Sequence, residues 1–396
     1  MTTFLTRAGR HFCALLVILF ALASCGGGGS GVGDLAGVGT GGTGPAAVGI
    51  GPISGFGSVI VGGVRYDDSR AVVTDDEGAP RSRLDLRLGM VAEISGSADF
   101  TARTGVATAI RYGSEVLGPV TSVNAAANRF SVLGVGVDVV ADTVFDERLT
   151  GVAALGMGDP VEVYGYYNVA TGRFTATRVD SATGASRYTL RGTVSGLDTT
   201  RKRFALAGLT IDYAAVPAAQ TAALANGQAL RVSATRAPAG GVWVIDALTG
   251  AARASLAEGE AEIVGRIDSL TSARHFSVEG VSVDATAASV SGTPALGLRV
   301  QVEGTVKNGV LQAREVEVSD DGQSETEEFD LTDVIQSFDP ATQRFRLRGQ
   351  LVDASGTVSF EDGSRSDLAN GVRIECKGSF DAALGAVRAR LIHFER

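Results

Sequence analysis

The chain reads as all-β: a tandem array of five small OB-like β-barrel modules after a disordered Gly-rich tether. Three observations predict this. Gly followed four positions later by Asp recurs every 69 to 74 residues, at Gly63/Asp67, Gly134/Asp138, Gly208/Asp212, Gly280/Asp284 and Gly349/Asp353. A Phe stands four residues before the Gly in the last four copies (Phe130, Phe204, Phe276, Phe345), with Val59 in that place in the first. Composition adds 53 Gly, 9 Pro and no long stretch of helical periodicity.

At the N-terminus, Arg7 and Arg10 precede an apolar run from Phe12 to Ala23 that ends Leu22-Ala23-Ser24-Cys25. A basic region, about a dozen apolar residues and small residues at the cut make a secretory signal, too short to span a bilayer. The segment resembles a bacterial lipoprotein signal with its lipobox. That resemblance implies a signal peptide over residues 1–24 and lipidation of Cys25, with the membrane as a partner through its acyl chains. Gly26 after the Cys, in place of Asp, points to the outer membrane, on its periplasmic face or at the cell surface.

Residues 25–51 are Gly-rich and nearly uncharged. Such a stretch buries too little apolar surface to order itself and is expected to be a flexible tether. Without the signal, 33 basic residues face 44 acidic ones, a net charge of −11. That balance argues against nucleic acid as a partner, because binding a phosphate backbone needs cations to displace its counterions. Cys13 leaves with the signal and Cys25 is the lipidation site. Cys376 alone remains, so the folded part has no intrachain disulfide to form.

Within a module, apolar residues alternate at Phe130 and Val132, then resume out of phase at Val135 and Val137. Period two marks a half-buried strand, and the slip at Gly134 marks a turn or bulge needing positive φ. The aligned Phe side chains are core anchors on this reading. Asp138, Asp212, Asp284 and Asp353, with Asp67, bind nearby backbone amides. A second signature, Gly158 to Gly165, is matched at Gly297 to Gly304 and Gly371 to Gly378. It reads as a strand entered by a turn; the third copy ends it in Ala234. A third, Gly then Ala four residues later, reads as a closing strand at Gly105/Ala109, Gly172/Ala176, Gly309/Ala313 and Gly385/Ala389.

Three strands, a link that is helix-prone at Pro217 to Asn226, then two strands is the order of an OB-like barrel. The modules are expected at 52–117, 118–190, 191–258, 262–320 and 328–396. An acidic linker from Asp320 to Asp330 precedes the last. The repeat resembles a bacterial family of domains of unknown function, numbered 5666, found in tandem in envelope lipoproteins. The residues that carry the resemblance are Gly118-Pro119-Val120, Gly192-Thr193-Val194, the Phe…Gly…Asp segment, residues 158–165 and Ala176-Thr177-Arg178-Val179. It implies a β-barrel fold and an envelope setting, and brings no known activity.

No chemistry stands out in the repeat. His275 occupies a place held by Arg129, Arg203 and Arg344, which suits an exposed turn end. Cys376 aligns with Val163, Val232 and Val302, as a buried hydrophobe would. The acid runs Asp75-Asp76-Glu77 and Asp320-Asp321 lack the alternating oxygen ligands of a calcium loop. No metal, cofactor or catalytic residue is expected. Tyr164, out of phase with Val161 and Val163, is expected to face solvent with Glu162. Together with Tyr166, Tyr167 and Trp243 it forms the candidate binding surface. The functional expectation is a lipid-anchored, noncatalytic binding or scaffolding protein for an envelope protein or polysaccharide. The alternatives are a passive spacer and a carboxylate-based enzyme on envelope polymers.

Overall fold

A computed structural model describes residues 46–250, 256, 258–319 and 328–395. The signal peptide, Cys25, the tether as far as residue 45 and Asp320 to Glu327 of the acidic linker lie outside the described residues. The described residues form one compact unit.

All five modules share one pairing scheme. In module 2 the first strand, Val116–Asn124, pairs antiparallel with Arg129–Val132, which pairs antiparallel with Val135–Phe145. That third strand runs parallel to the last, Arg173–Ser181. The last pairs with the fourth, Pro160–Asn168, and the fourth returns to the first. The order first, second, third, fifth, fourth, first closes a small barrel-like sheet. Modules 1 and 4 repeat the cycle, beginning at Ala46–Phe56 and Gly259–Ser272, and module 5 does so with its first strand split into Phe329–Val334, which pairs with the fourth, and Gln336–Asp339, which pairs with the second. In module 3 the same cycle is assembled from broken strands, with Tyr188–Thr193 and Ser195–Asp198 first and Val242–Val244 and Ala247–Gly250 last. A short helix, Ala218–Thr221, lies in the link that is helix-prone in sequence.

The slip at each Gly is a two-residue hairpin turn. Val132 faces Val135 across it, and Leu133 and Gly134 both have positive φ, 54° and 86°. Those are the dihedrals of a type I′ turn, whose twist matches the flanking strands. The anchors Phe130, Phe204, Phe276 and Phe345 are all buried.

The fourth and fifth strands are bent where Gly165 faces Ala176. A Cβ at Gly165 would lie 2.1 Å from the Thr175 carbonyl oxygen, so only glycine lets the backbones come this close. The same bulge recurs at Gly96, Gly304 and Gly378. In module 3, with Ala234 at this place, the fourth strand ends there. In module 1 the partner of the bulge is Ala107, with Arg103 at φ 55° in the preceding turn. The closing turn there is thus two residues earlier than the Gly105/Ala109 spacing indicated.

Residues 46–51, assigned to the tether from their glycines, open the first strand of module 1 and are buried from Ala47 onward. That strand also joins modules distant in sequence. Ala47–Ile50 run parallel to Glu260–Ile263 of module 4, and Gly55 and Phe56 to Asp330 and Leu331 of module 5. Modules 2 and 3 open earlier than the expected bounds, at Val116 and Tyr188, and meet through Leu117 and Thr189. One apolar core extends through modules 1, 2, 3 and 5; that of module 4 takes in Val48 and Ile50 of module 1. The modules therefore cluster around module 1 and do not form a string.

Candidate functional site

Three of the four residues singled out as a binding surface are buried. Tyr164 and Tyr166 are each 3 % exposed and Trp243 is fully buried. Tyr167 is half-buried, with its ring edge-on to Phe174 at 5.2 Å. Trp243 donates its indole N–H to the Arg236 carbonyl at 2.7 Å, and Tyr166 donates its hydroxyl to the Val264 carbonyl. Tyr164 does lie on the outer face of its strand, as alternation predicts. The side chain is nonetheless buried, and Arg178, its direct partner on the fifth strand, donates to the Leu88 carbonyl of module 1, a contact that the sequence of one module does not reveal.

The Asp and Arg positions of the repeat are partners across the hairpin. Arg129 faces Asp138, Arg203 faces Asp212 and Arg344 faces Asp353 in register, and each pair is salt-bridged. His275 faces Asp284 in the same way, 3.5 Å away. Asp67, Asp212, Asp284 and Asp353 also accept the backbone N–H two residues on, at 2.9 to 3.1 Å. Asp138 instead accepts from Arg129 and Arg173. Hydrogen bonds from Thr286 hold Asp284 below the usual carboxylate range. These bonds are structural, and none leaves a group aimed at a ligand.

The outward residue four places after each turn glycine of the fourth strand is a better guide. These residues are Glu93, Glu162, Arg231, Gln301 and Glu375. Three of them reach module 1: Arg231 bonds Asp76, Gln301 donates to the Gly62 carbonyl at 3.2 Å, and Glu375 accepts from Arg65 at 2.9 Å. Module 2 uses its fifth strand to the same end, with Thr177 and Arg178 donating to the Gly89 and Leu88 carbonyls. In modules 3, 4 and 5 one strand position, varied in charge from copy to copy, thus bonds each barrel to the first.

Where modules 1, 2 and 3 meet, with Gly349 and Gln350 of module 5 at the rim, they enclose an open cleft of about 790 Å³. Glu162 and Tyr164 lie in it, with Ser114 from the link before module 2, Tyr112 and Asp85 from module 1, and Arg231 from module 3. Glu162 and Asp180 face each other in register. Arg178 holds Asp180, with its Nε 2.8 Å from one carboxylate oxygen and its Nη2 2.7 Å from the other. Burial above all, and the Asp180 charge after it, push Glu162 upward; hydrogen bonds from Ser114 and Tyr164 oppose the shift. Burial likewise raises Tyr112 and Tyr164. The cleft thus brings together a carboxyl shifted upward by burial, arginines bonded to carboxylates and the half-buried Tyr112 ring. Asp75 and Asp76 of the first acid run also line it, each bonded to an arginine. Among the described residues no group of three or more His, Cys, Asp or Glu is placed to hold a metal ion. Alignment within the repeat marks Glu162 as an outward strand residue; nothing in the sequence marks it as part of a shared cleft.

A family model described as a domain of unknown function (DUF5666) matches residues 118–180, 264–317 and 334–393, within modules 2, 4 and 5. No curated protein matches the chain.

Proposed function

We propose, with three segments of the chain matching the DUF5666 model, that this is a lipid-anchored, noncatalytic binding protein of the cell envelope, built of five OB-like modules, that holds a polysaccharide in the cleft around Glu162. The observation that carries this reading is the cleft itself, lined from four modules and rich in fixed hydrogen-bonding groups. The shared strand order supports the OB-like assignment, and OB-like barrels use such faces and loops for oligomeric ligands. A passive spacer gains its use from length, which five barrels packed into one unit give poorly. Anchoring rests on the lipobox at Cys25, with the outer membrane as destination.

The test is titration of the purified folded region with defined envelope polysaccharide fragments, alongside Tyr112→Ala and Glu162→Gln. Binding by the parent and at least tenfold weaker binding by both variants, with unchanged melting, supports the reading. Equal binding by all three removes the cleft. A second reading, a carboxylate enzyme acting on envelope polymers, draws on the in-register Glu162 and Asp180. It requires turnover of the same fragments that Glu162→Gln abolishes.

A further inference from the structure

The first strand of module 1 runs against Glu260–Ile263 of module 4, and Glu262 stands in the middle of that seam opposite Gly49. Glu262 is 1 % exposed. Its Oε1 accepts from Arg103 at 2.7 Å and from Gln301 at 2.6 Å. Both donors also bond the Gly62 carbonyl of module 1, so one oxygen of the carboxyl is locked into the contact between modules. The other oxygen, Oε2, has no hydrogen-bond partner among the described residues. It lies so close to Gly62 that a Cβ there would be 2.5 Å away. The Tyr66 hydroxyl, also buried, is likewise without a partner.

An ionised carboxylate with an unsatisfied oxygen in a buried seam is costly, whereas a neutral carboxyl there is tolerated. The charged and titratable groups that face Glu262 are few. From module 1 they are Arg103 and Tyr66; from module 4, Glu303 is its direct partner on the fourth strand and is itself held by Arg314. One cation, shared with a carbonyl, is therefore set against burial and a like charge.

We propose that the seam between modules 1 and 4 is a proton-operated latch, closed while Glu262 is neutral and loosened when it ionises. This goes beyond ligand binding in the cleft and does not depend on it. Burial, opposed by Arg103 and Gln301, pushes the Glu262 carboxyl up from 4.5 to about 7. When the seam opens, water reaches the carboxyl and its ordinary value returns. Because the closed-state value is the higher one, the latch is fully effective below about 4.5 and is lost as pH rises through 7. The opening equilibrium should change by about a hundredfold over that window.

A related arrangement stands at the seam with module 5. Asp330, opposite Gly55, bonds Arg65, and its Oδ1 has no partner among the described residues. Burial pushes Asp330 upward, while the charges of Lys377 and Arg65 help hold the neighbouring Glu375 down.

Hydrogen exchange of the full chain, corrected for intrinsic rates, tests the latch. Amides of Val48–Ile50 and Ala261–Ile263 should be protected at pH 5 and exchange about a hundredfold faster relative to intrinsic at pH 8. The Glu262→Gln chain should keep its protection at both. Wild-type protection independent of pH, or the same pH dependence in Glu262→Gln, overturns the proposal. Should Glu262→Gln fail to fold, Arg103→Gln should move the midpoint to higher pH and deepen the loss above it; an unmoved profile overturns the proposal equally. Amides at Gly55 and Phe56 report the other seam separately.

Discussion

The phenolic hydroxyl of Tyr166 in module 2 donates to the backbone carbonyl of Val264 in module 4 at 2.9 Å, inside a buried contact between the two barrels. A side chain expected to offer itself to a partner is thus used within the molecule. Replacing it by Phe keeps the ring and removes the donor, leaving a buried carbonyl without that bond. Tyr166→Phe should lose about 1 kcal/mol of stability in chemical denaturation; an unchanged midpoint would mean that this contact contributes nothing.

Trp243 gives a direct optical check on the correction to the candidate surface. It is the one tryptophan of the chain and is fully buried. Its emission should be blue-shifted and poorly quenched by acrylamide in the native protein, and should turn red on unfolding. Trp243→Ala should cost about 3 to 5 kcal/mol, the loss expected for emptying a large core site.

Two glycines of module 2 should respond differently to one added methyl. At Gly134 no atom lies within 4 Å of the new Cβ, so Gly134→Ala incurs only the strain of positive φ, about 1 kcal/mol. At Gly165 the Cβ meets a backbone carbonyl, and Gly165→Ala should cost about 3 kcal/mol by overpacking. Thermal melts of the two variants give the order; equal losses would contradict the bulge.

Cys376 is fully buried, and burial first, then nearby carboxylates, push its thiol well above the usual range. It should resist a thiol reagent at pH 8 in the folded chain and react fully in denaturant. Rapid native labelling would show that the last barrel opens readily.

Much of the barrel was legible because its signals are local. Phe130 and Val132 alternate, Gly134 marks the I′ turn, and Asp138 sits opposite Arg129; each depends on residues a few places apart. The repeat supplied further controls, such as Arg in the place of His275. What could not be read lies between modules. Tyr164 alternates out of phase with Val161 and Val163 as expected, yet nothing local indicates that it is buried. Gly49 looks like part of a tether from composition, but its glycine is needed because the Tyr66 hydroxyl packs against it, 2.6 Å from where a Cβ would be. The cleft escaped for the same reason: Asp85, Glu162 and Arg231 come from three modules and share no motif.

The parallel pairing of Ala47–Ile50 with Glu260–Ile263 has a consequence for how the molecule is made. Synthesis delivers the first barrel early, with one side of its opening strand still waiting for a neighbour that two further barrels separate from it. Until then that strand is an exposed edge, open to pairing with another nascent chain. Final assembly is therefore a late event in the life of the chain, and truncation before residue 259 should leave a sticky intermediate where the full sequence yields a sealed one.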